Sequence, residues 1–434
     1  MVFRSTGIPD LLWLLGAGWV LGPGLGLVSA DGLAPAAPYF AALALAVVGF
    51  ESASRVRVAD AVGPSRRAVG LAAAGFLASG LAVAAGTMLV ASAGWLPGWS
   101  WRHAALAGTV LGAASATVSL PALTRAKLDV RSAGWFNLES ALAETVAILL
   151  GGAVLYGMEG ESGSPGIPLF TGLALGLVAG FLWLLFLKTL RAVNHAYSIT
   201  LGVLLVLSAL AARIGGSAAA AAIGAGLVLG NAPGISRALK LSDTLELGED
   251  VRGYHSQLAF LIKALFFVFL GVHLAGPWPA LVTGLLLGVL AAGVRWPATG
   301  MVLSASAAGE PARRLLAAAG ARGPVTAVLA ILAAHRGING LEALPTIAAA
   351  ALLSAALATA VGVALARTAP RAAAGSWASP APAPSWSSSP AAVPAPPPPV
   401  APATDPFSSG ALPADFLAPT PADAEITPGS GFRW

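Results

Sequence analysis

Twelve apolar stretches of roughly membrane-spanning length run from residue 8 to residue 366, and they leave this chain few folds to choose from. A helix needs about 20 largely apolar residues to cross a hydrocarbon core. The stretches read 8–28, 35–50, 68–93, 103–122, 135–157, 167–190, 197–213, 217–231, 255–274, 279–299, 314–335 and 344–366. Inside lipid every backbone N–H and C=O must find a partner within the segment, so such stretches cross as α-helices. Charged residues make up only 10% of the chain and mean hydropathy is +0.80, where a soluble domain carries about 25% charge. The fold class is an all-α polytopic membrane protein of about 12 transmembrane helices.

Composition also excludes several chemistries. There is no cysteine, hence no disulfide, zinc-thiolate or iron–sulfur site. No Walker loop, zinc-ligand spacing or nucleophile–base set is present, so neither an enzyme nor a cofactor is expected. The net charge of +5 lies in loops between apolar spans and is no nucleic-acid signal. Arg4 leads directly into the first span, without the small-residue cleavage site of a signal peptide.

Those loop charges set an orientation. With the N-terminus inside, the cytoplasmic loops hold Arg55, Arg57, Arg66, Arg67, Arg125, Lys127, Arg131, Lys188, Arg191, Arg237, Lys240, Arg252, Arg313 and Arg314, and Arg367 and Arg371 follow the last span. The opposite loops hold Arg102, Arg213 and Arg336. The asymmetry places both termini in the cytoplasm, with a bacterial inner membrane as the expected location. The membrane domain is assigned to residues 1–367. Residues 368–434 are rich in Pro, Ala and Ser and are expected to form a disordered cytoplasmic tail.

An internal repeat adds an architectural expectation. Residues 16–27 (Gly-Ala-Gly-Trp-Val-Leu-Gly-Pro-Gly-Leu-Gly-Leu) and 224–235 (Gly-Ala-Gly-Leu-Val-Leu-Gly-Asn-Ala-Pro-Gly-Ile) match at seven of twelve positions. They end the first and eighth spans, so they cross in opposite directions, the trace of an inverted-topology repeat of spans 1–5 and 8–12. The fourth span then corresponds to the eleventh, and both read as discontinuous. The fourth carries Ser115, Thr117, Ser119 and Pro121, and the eleventh carries Gly320, Arg322, Gly323, Pro324 and Thr326. Such breaks are tolerated at membrane depth where the freed backbone lines a cavity.

Ionisable groups at that depth are expensive and mark pathways for charge. Glu139 and Glu144 lie in the fifth span, Arg295 in the tenth, Lys263 in the ninth and Arg322 in the eleventh. Five residues turn a helix by about 140° and advance it by about 7.5 Å, so the two glutamates face different neighbours. Glu139 is expected to form a structural ion pair with Arg295. Glu144 has only Ser140, Ala141 and Ile148 as near helical neighbours, and is read as an unpaired carboxylate suited to exchanging a proton for a cation. Lys263 is read as snorkelling or structurally paired, Arg322 as pairing with the C-terminal end of a half-helix, and Glu51 and His273 as interfacial.

These residues together resemble the monovalent cation:proton antiporter superfamily, in its sodium/proton exchanger branch (Kef/Nha type). Glu139-Ser140-Ala141-Leu142-Ala143-Glu144 resembles the family's Glu-Ser-x-x-(Asn/Thr)-Asp motif. Tyr254 to Lys263, continuing through Phe266 to Gly271, is similar to its ninth helix. Arg295 falls where the family has a basic residue, and Ala321-Arg322-Gly323-Pro324 with Thr326 to Ala330 resembles its Arg-Gly segment. The resemblance covers residues 7–366. The departures are Glu144 in place of the family's aspartate, Ala143 in place of a polar residue, and Ser115-Ala116 where many members carry Asp-Pro.

The resemblance implies a secondary transporter that exchanges a monovalent cation, foremost Na+, for H+ at Glu144, with Ser140, Ser115, Thr117 and Ser119 as further ligands. Spans 3–5 and 10–12 would form a mobile core. Glu144 would bind metal only as the transported ion, no cofactor is implied, and a homodimer in the lipid bilayer is expected. The rival readings are a transporter of K+ or another substrate on the same fold, and a non-transporting membrane module that recruits partners through its tail.

Overall fold

In a computed structural model, the structure describes residues 10–59, 66–160, 163–190, 196–240, 249–304 and 309–368. The tail assigned from the sequence lies outside them beyond Thr368. Among the described residues there is no strand. The helices are α1 (Asp10–Trp19), α2 (Ala37–Ser54), α3 (Arg66–Ser92), α4 (Trp101–Gly112), α5 (Ala116–Arg125), α6 (Val130–Met158), α7 (Gly166–Leu190) and α8 (Ala196–Arg213). They continue as α9 (Ala218–Gly230), α10 (Ala232–Ala238), α11 (Glu249–Val272), α12 (Trp278–Gly293), α13 (Arg295–Val302), α14 (Glu310–Ala318), α15 (Pro324–Ala334) and α16 (Leu344–Thr368).

Among the described residues eight helices are long and apolar enough to cross a membrane, or nine if the bent pair α9–α10 is one span. Shorter apolar helices Leu12–Gly24, Ile199–Arg213 and Pro324–Ala334 stand at the first, seventh and eleventh spans. Each of the twelve spans thus has its helix. The second runs further than its apolar stretch, ending at Ser54 rather than near residue 50.

Local chemistry explains the boundaries. Asp129 caps α6, its carboxylate accepting the Ser132 backbone N–H at 2.9 Å. Burial acts to raise this carboxyl's pKa, but hydrogen bonds from Ser132 and from the backbone N–H groups of Asp129 and Arg131 together outweigh it and hold the group below the usual carboxylate range. Ser217 caps α9 by accepting from the Ala220 N–H at 3.3 Å. Pro324 opens α15, where a missing N–H leaves no helical bond unmade.

Both spans read as discontinuous are interrupted, but only the eleventh breaks at its Gly and Pro; Pro121 lies inside α5, and the fourth span opens six residues earlier, at Ser115. The fourth span leaves helix over residues 113–115 and the eleventh over 319–323. The two breaks satisfy one another. The Ser115 N–H donates to the Ala321 carbonyl at 2.9 Å, Thr326 Oγ1 to the Val110 carbonyl at 2.8 Å, and Arg322 Nη1 to the Gly112 carbonyl at 3.2 Å. The Gly320 N–H finds Thr359 Oγ1 at 3.1 Å. This is how unwound backbone survives away from water.

Packing sorts the helices into two groups. In one, α3 packs on α4, α6 and α13, α12 on α16, and α16 on α14 and α15. In the other, α11 packs on α1, and α9 on α2, α7 and α8. The groups meet where α2 packs on α6 and α15, and α11 on α15.

The two repeat copies make exchanged contacts within the second group. Gly18 of α1 lies against the α11 backbone at Val268 and Gly271, and Gly226 of α9 lies against the α2 backbone at Phe50. Any Cβ at either glycine would collide with a carbonyl, so only glycine permits the approach. The first span thus meets the ninth as the eighth meets the second, which is the partner exchange an inverted repeat of 1–5 and 8–12 produces. Both copies also end irregularly, in a π-helical turn Val20–Gly24 around Pro23 and in a 61° bend at Asn231.

Candidate ion-binding site

Glu144 is the central residue of α6, with 14 residues on either side (130–143 and 145–158), and it is 2% exposed. Three elements converge on its carboxylate. From the break before α5, Ser115 Oγ donates to Oε1 at 2.8 Å. One turn earlier on α6, Ser140 Oγ donates weakly to the same oxygen at 3.5 Å, while accepting the Ala116 N–H at 2.7 Å. From α2, Ser52 Oγ donates to Oε2 at 2.8 Å.

The fourth contact corrects the sequence reading. Glu144 is not without a countercharge: Arg55 Nη2 lies 2.8 Å from Oε2. Arg55 was assigned to a cytoplasmic loop because the apolar run of the second span fades near residue 50. The helix continues past that point, and the long guanidinium arm returns toward the middle of α6 from one residue beyond the last of α2. Ser52 and Arg55 are three apart and so share a face, the one signal that could have linked them as a pair. Nothing within α6 itself points to α2.

Thr117 and Ser119 do not join Glu144. Helix α5 begins at Ala116 and winds both away from the break; Ser119 is buried with its hydroxyl unpartnered, and Thr117 is partly exposed. Gly323 of the other break stands close by. A Cβ there would collide with the Ser115 side chain and come within 3.4 Å of Glu144 Oε1.

The other charges occupy separate places. Glu139 Oε1 accepts from Arg295 Nη1 at 2.6 Å, each side chain 2% exposed, and Arg295 Nη2 also donates to the Leu316 carbonyl at 3.1 Å. Gly75 of α3 leaves room for both, because a Cβ there would lie 3.1 Å from Nη1 and 3.3 Å from Oε1. Lys263 Nζ is 2.5 Å from Glu51 Oε2. Glu51, read as interfacial, is therefore a partly buried ion-pair member on the same helical turn as Ser52, and Lys263 reaches Glu51 rather than Glu144. Arg322 is fully buried at the C-terminal end of α4. His273 hydrogen-bonds the Phe269 carbonyl at 3.1 Å and takes no part in the site.

The site thus offers two carboxylate oxygens and the hydroxyls of Ser52, Ser115 and Ser140. An all-oxygen set of this kind suits a hard cation, and its one carboxylate, held in this structure by the Arg55 guanidinium, can take either that cation or a proton.

Comparison with known proteins follows the same line. The sodium/hydrogen exchanger transmembrane family matches residues 1–367. Comparison with curated proteins gives no match. Among solved structures, the sodium proton antiporter MjNhaP1 from Methanocaldococcus jannaschii at pH 8 superposes with a TM-score of 0.66 at 20% identity, covering 84% of this chain and 92% of that one. An electron-microscopy structure of the same antiporter gives a TM-score of 0.62 at 20% identity, over 84% and 91% of the two chains. At that identity the likeness is one of fold.

Proposed function

The chain belongs to the sodium/hydrogen exchanger family, a family of membrane-embedded secondary transporters rather than enzymes that exchange cations for protons, and from that membership we propose that it exchanges Na+ for H+ by competition at Glu144. The observation that carries the reading is a buried carboxylate at the centre of α6, surrounded by the hydroxyls of Ser52, Ser115 and Ser140, where two helix breaks cross.

A cation enters when Glu144 is ionised and takes the carboxylate and hydroxyl oxygens as ligands. A proton enters by neutralising the same carboxylate, which then ligates a hard cation poorly. Each occupant compensates the charge, so the loaded site crosses the low-dielectric region more easily than the empty one. The group α3–α6 with α12–α16 carries Glu144, Ser115 and Ser140, and α1, α2 (with Ser52) and α7–α11 form the scaffold past which it moves. In the membrane the protein is a homodimer with both termini cytoplasmic, in a bacterial inner membrane.

Reconstitution of the full chain into proteoliposomes tests this directly. Na+ added outside should release protons from vesicles acidified inside, and the Glu144→Gln variant should release none. Parallel additions of Li+ and K+ identify the cation. Proton release that no alkali cation elicits would end the proposal.

A further inference from the structure

Arg55 and Glu144 belong to opposite groups of helices. Arg55 follows the last residue of α2, which packs on α9, while Glu144 is on α6. The guanidinium is fixed to its own side. The Asn231 side chain accepts the Val58 N–H at 2.8 Å and donates to the Val56 carbonyl at 2.9 Å, which clamps the segment just after Arg55 to the α9–α10 bend. Gly230 further presses α9 against the backbone of Ser54. Any displacement of α6 along the scaffold therefore has to break the Arg55–Glu144 contact.

The contact is also built to break. The Glu139–Arg295 pair is sealed, with 2% exposure on both sides, whereas the Arg55 side chain is 23% exposed. A guanidinium with one edge already in water regains its full hydration on leaving and can extend outward on its aliphatic stem. It contacts the carboxylate through Nη2 alone, and its Nε is unpartnered.

We propose that Arg55 is a tethered cation that occupies Glu144 whenever neither a transported cation nor a proton does, pinning the site-bearing helices to the scaffold until a cation or proton displaces it. This positioning role rests on the function proposed above. It makes the empty carrier the locked state, so that movement of the site requires an occupant on Glu144.

The charged groups around Glu144 leave Arg55 as its direct partner. On α2, Glu51 is engaged by Lys263 of α11; on α6, Glu139 is engaged by Arg295; at the break before α15, Arg322 is held on the Gly112 carbonyl; the break before α5 brings the neutral hydroxyl of Ser115. Replacing Arg55 thus removes one competitor and leaves the other pairs intact.

The test is the half-saturating Na+ concentration for proton release in proteoliposomes, compared among wild type, Arg55→Gln and Arg55→Lys. It is measured at the alkaline end of the wild-type profile, where proton competition is weakest. Arg55→Gln should lower that concentration by up to about fivefold, the factor matching the upper range for a partly exposed pair. Arg55→Lys should fall between the two, and it carries the test if the glutamine variant does not fold. Damage to packing would lower the maximal rate without improving apparent affinity, so the split separates the roles. An unchanged or raised half-saturating concentration in both variants, while wild type exchanges normally, overturns the tethered-cation role alone. A wild type with no cation-driven proton release overturns the exchange reading, and this inference with it.

Discussion

Glu139 and Glu144 share helix α6 yet are held by arginines on different sides of it: Arg295 of α13 at 2.6 Å and Arg55, just past α2, at 2.8 Å. The five-residue spacing turns the second carboxylate by about 140° from the first. One pair therefore lies within the group of helices that contains α6, and the other crosses to the neighbouring group. The difference in burial follows the difference in place, and it separates a structural pair from one that can open.

Glu144→Gln should abolish exchange without unfolding the protein, because it removes the charge while keeping the volume. Glu144→Asp should retain part of the activity with a changed half-saturating cation concentration, since the shorter arm withdraws the carboxylate from Ser52 and Arg55. Proton release from proteoliposomes and a size-exclusion profile in detergent check both. Undiminished flux in the glutamine variant would remove Glu144 from the mechanism.

Glu139→Ala and Arg295→Ala should each destabilise the protein in detergent by about 3–5 kcal/mol, because removing one partner leaves a buried charge uncompensated. The double variant should lose less than the sum of the two. A double-mutant cycle with zero coupling would contradict the 2.6 Å contact.

If proton and cation exclude one another at Glu144, apparent cation affinity must depend on pH. Where the carboxyl is largely protonated, the half-saturating concentration should rise about tenfold for each unit of falling pH, and it should level off where the carboxyl is ionised. The measurement is proton release over a pH series with the transmembrane gradient held near zero. A half-saturating concentration that stays constant across the whole series would exclude competition between proton and cation.

Gly323→Ala should impair exchange more than it impairs folding. The new Cβ collides with the Ser115 side chain and so pushes away a hydroxyl that donates to Glu144. The expected signature is a raised half-saturating cation concentration. Wild-type kinetics in this variant would show that the two breaks adjust independently.

Asp129→Ala should destabilise the protein by about 0.5–2 kcal/mol at neutral pH through loss of the α6 cap. Because the folded-state pKa is depressed, the contribution of the charge is present above the unfolded carboxyl's pKa and is lost as pH falls through the folded value. Melting temperatures of variant and wild type should draw together on acidification, and a gap that widened would contradict the assignment.

Much of this architecture was legible in the sequence, because the constraints that set it are local. Each apolar span announces its own helix, since lipid admits no other backbone pairing. The break at Gly323-Pro324 follows from residues that favour leaving helical geometry, whereas the one at Ser115 does not, since Pro121 is accommodated inside α5. The separation of Glu139 from Glu144 is arithmetic on one helix. The partner of Glu144 was decided elsewhere. It depends on α2 running to Ser54, on Gly226 and Gly230 drawing α9 close enough to hold that helix, and on Asn231 fixing the chain beyond Arg55. None of these leaves a mark on the sequence around residue 144, because a contact between helices 89 positions apart is set by how close their backbones come, not by any periodicity along either. The same reason removes Thr117 and Ser119 from the carboxylate: the place where α5 starts, at Ala116, settles which hydroxyl of that segment faces inward.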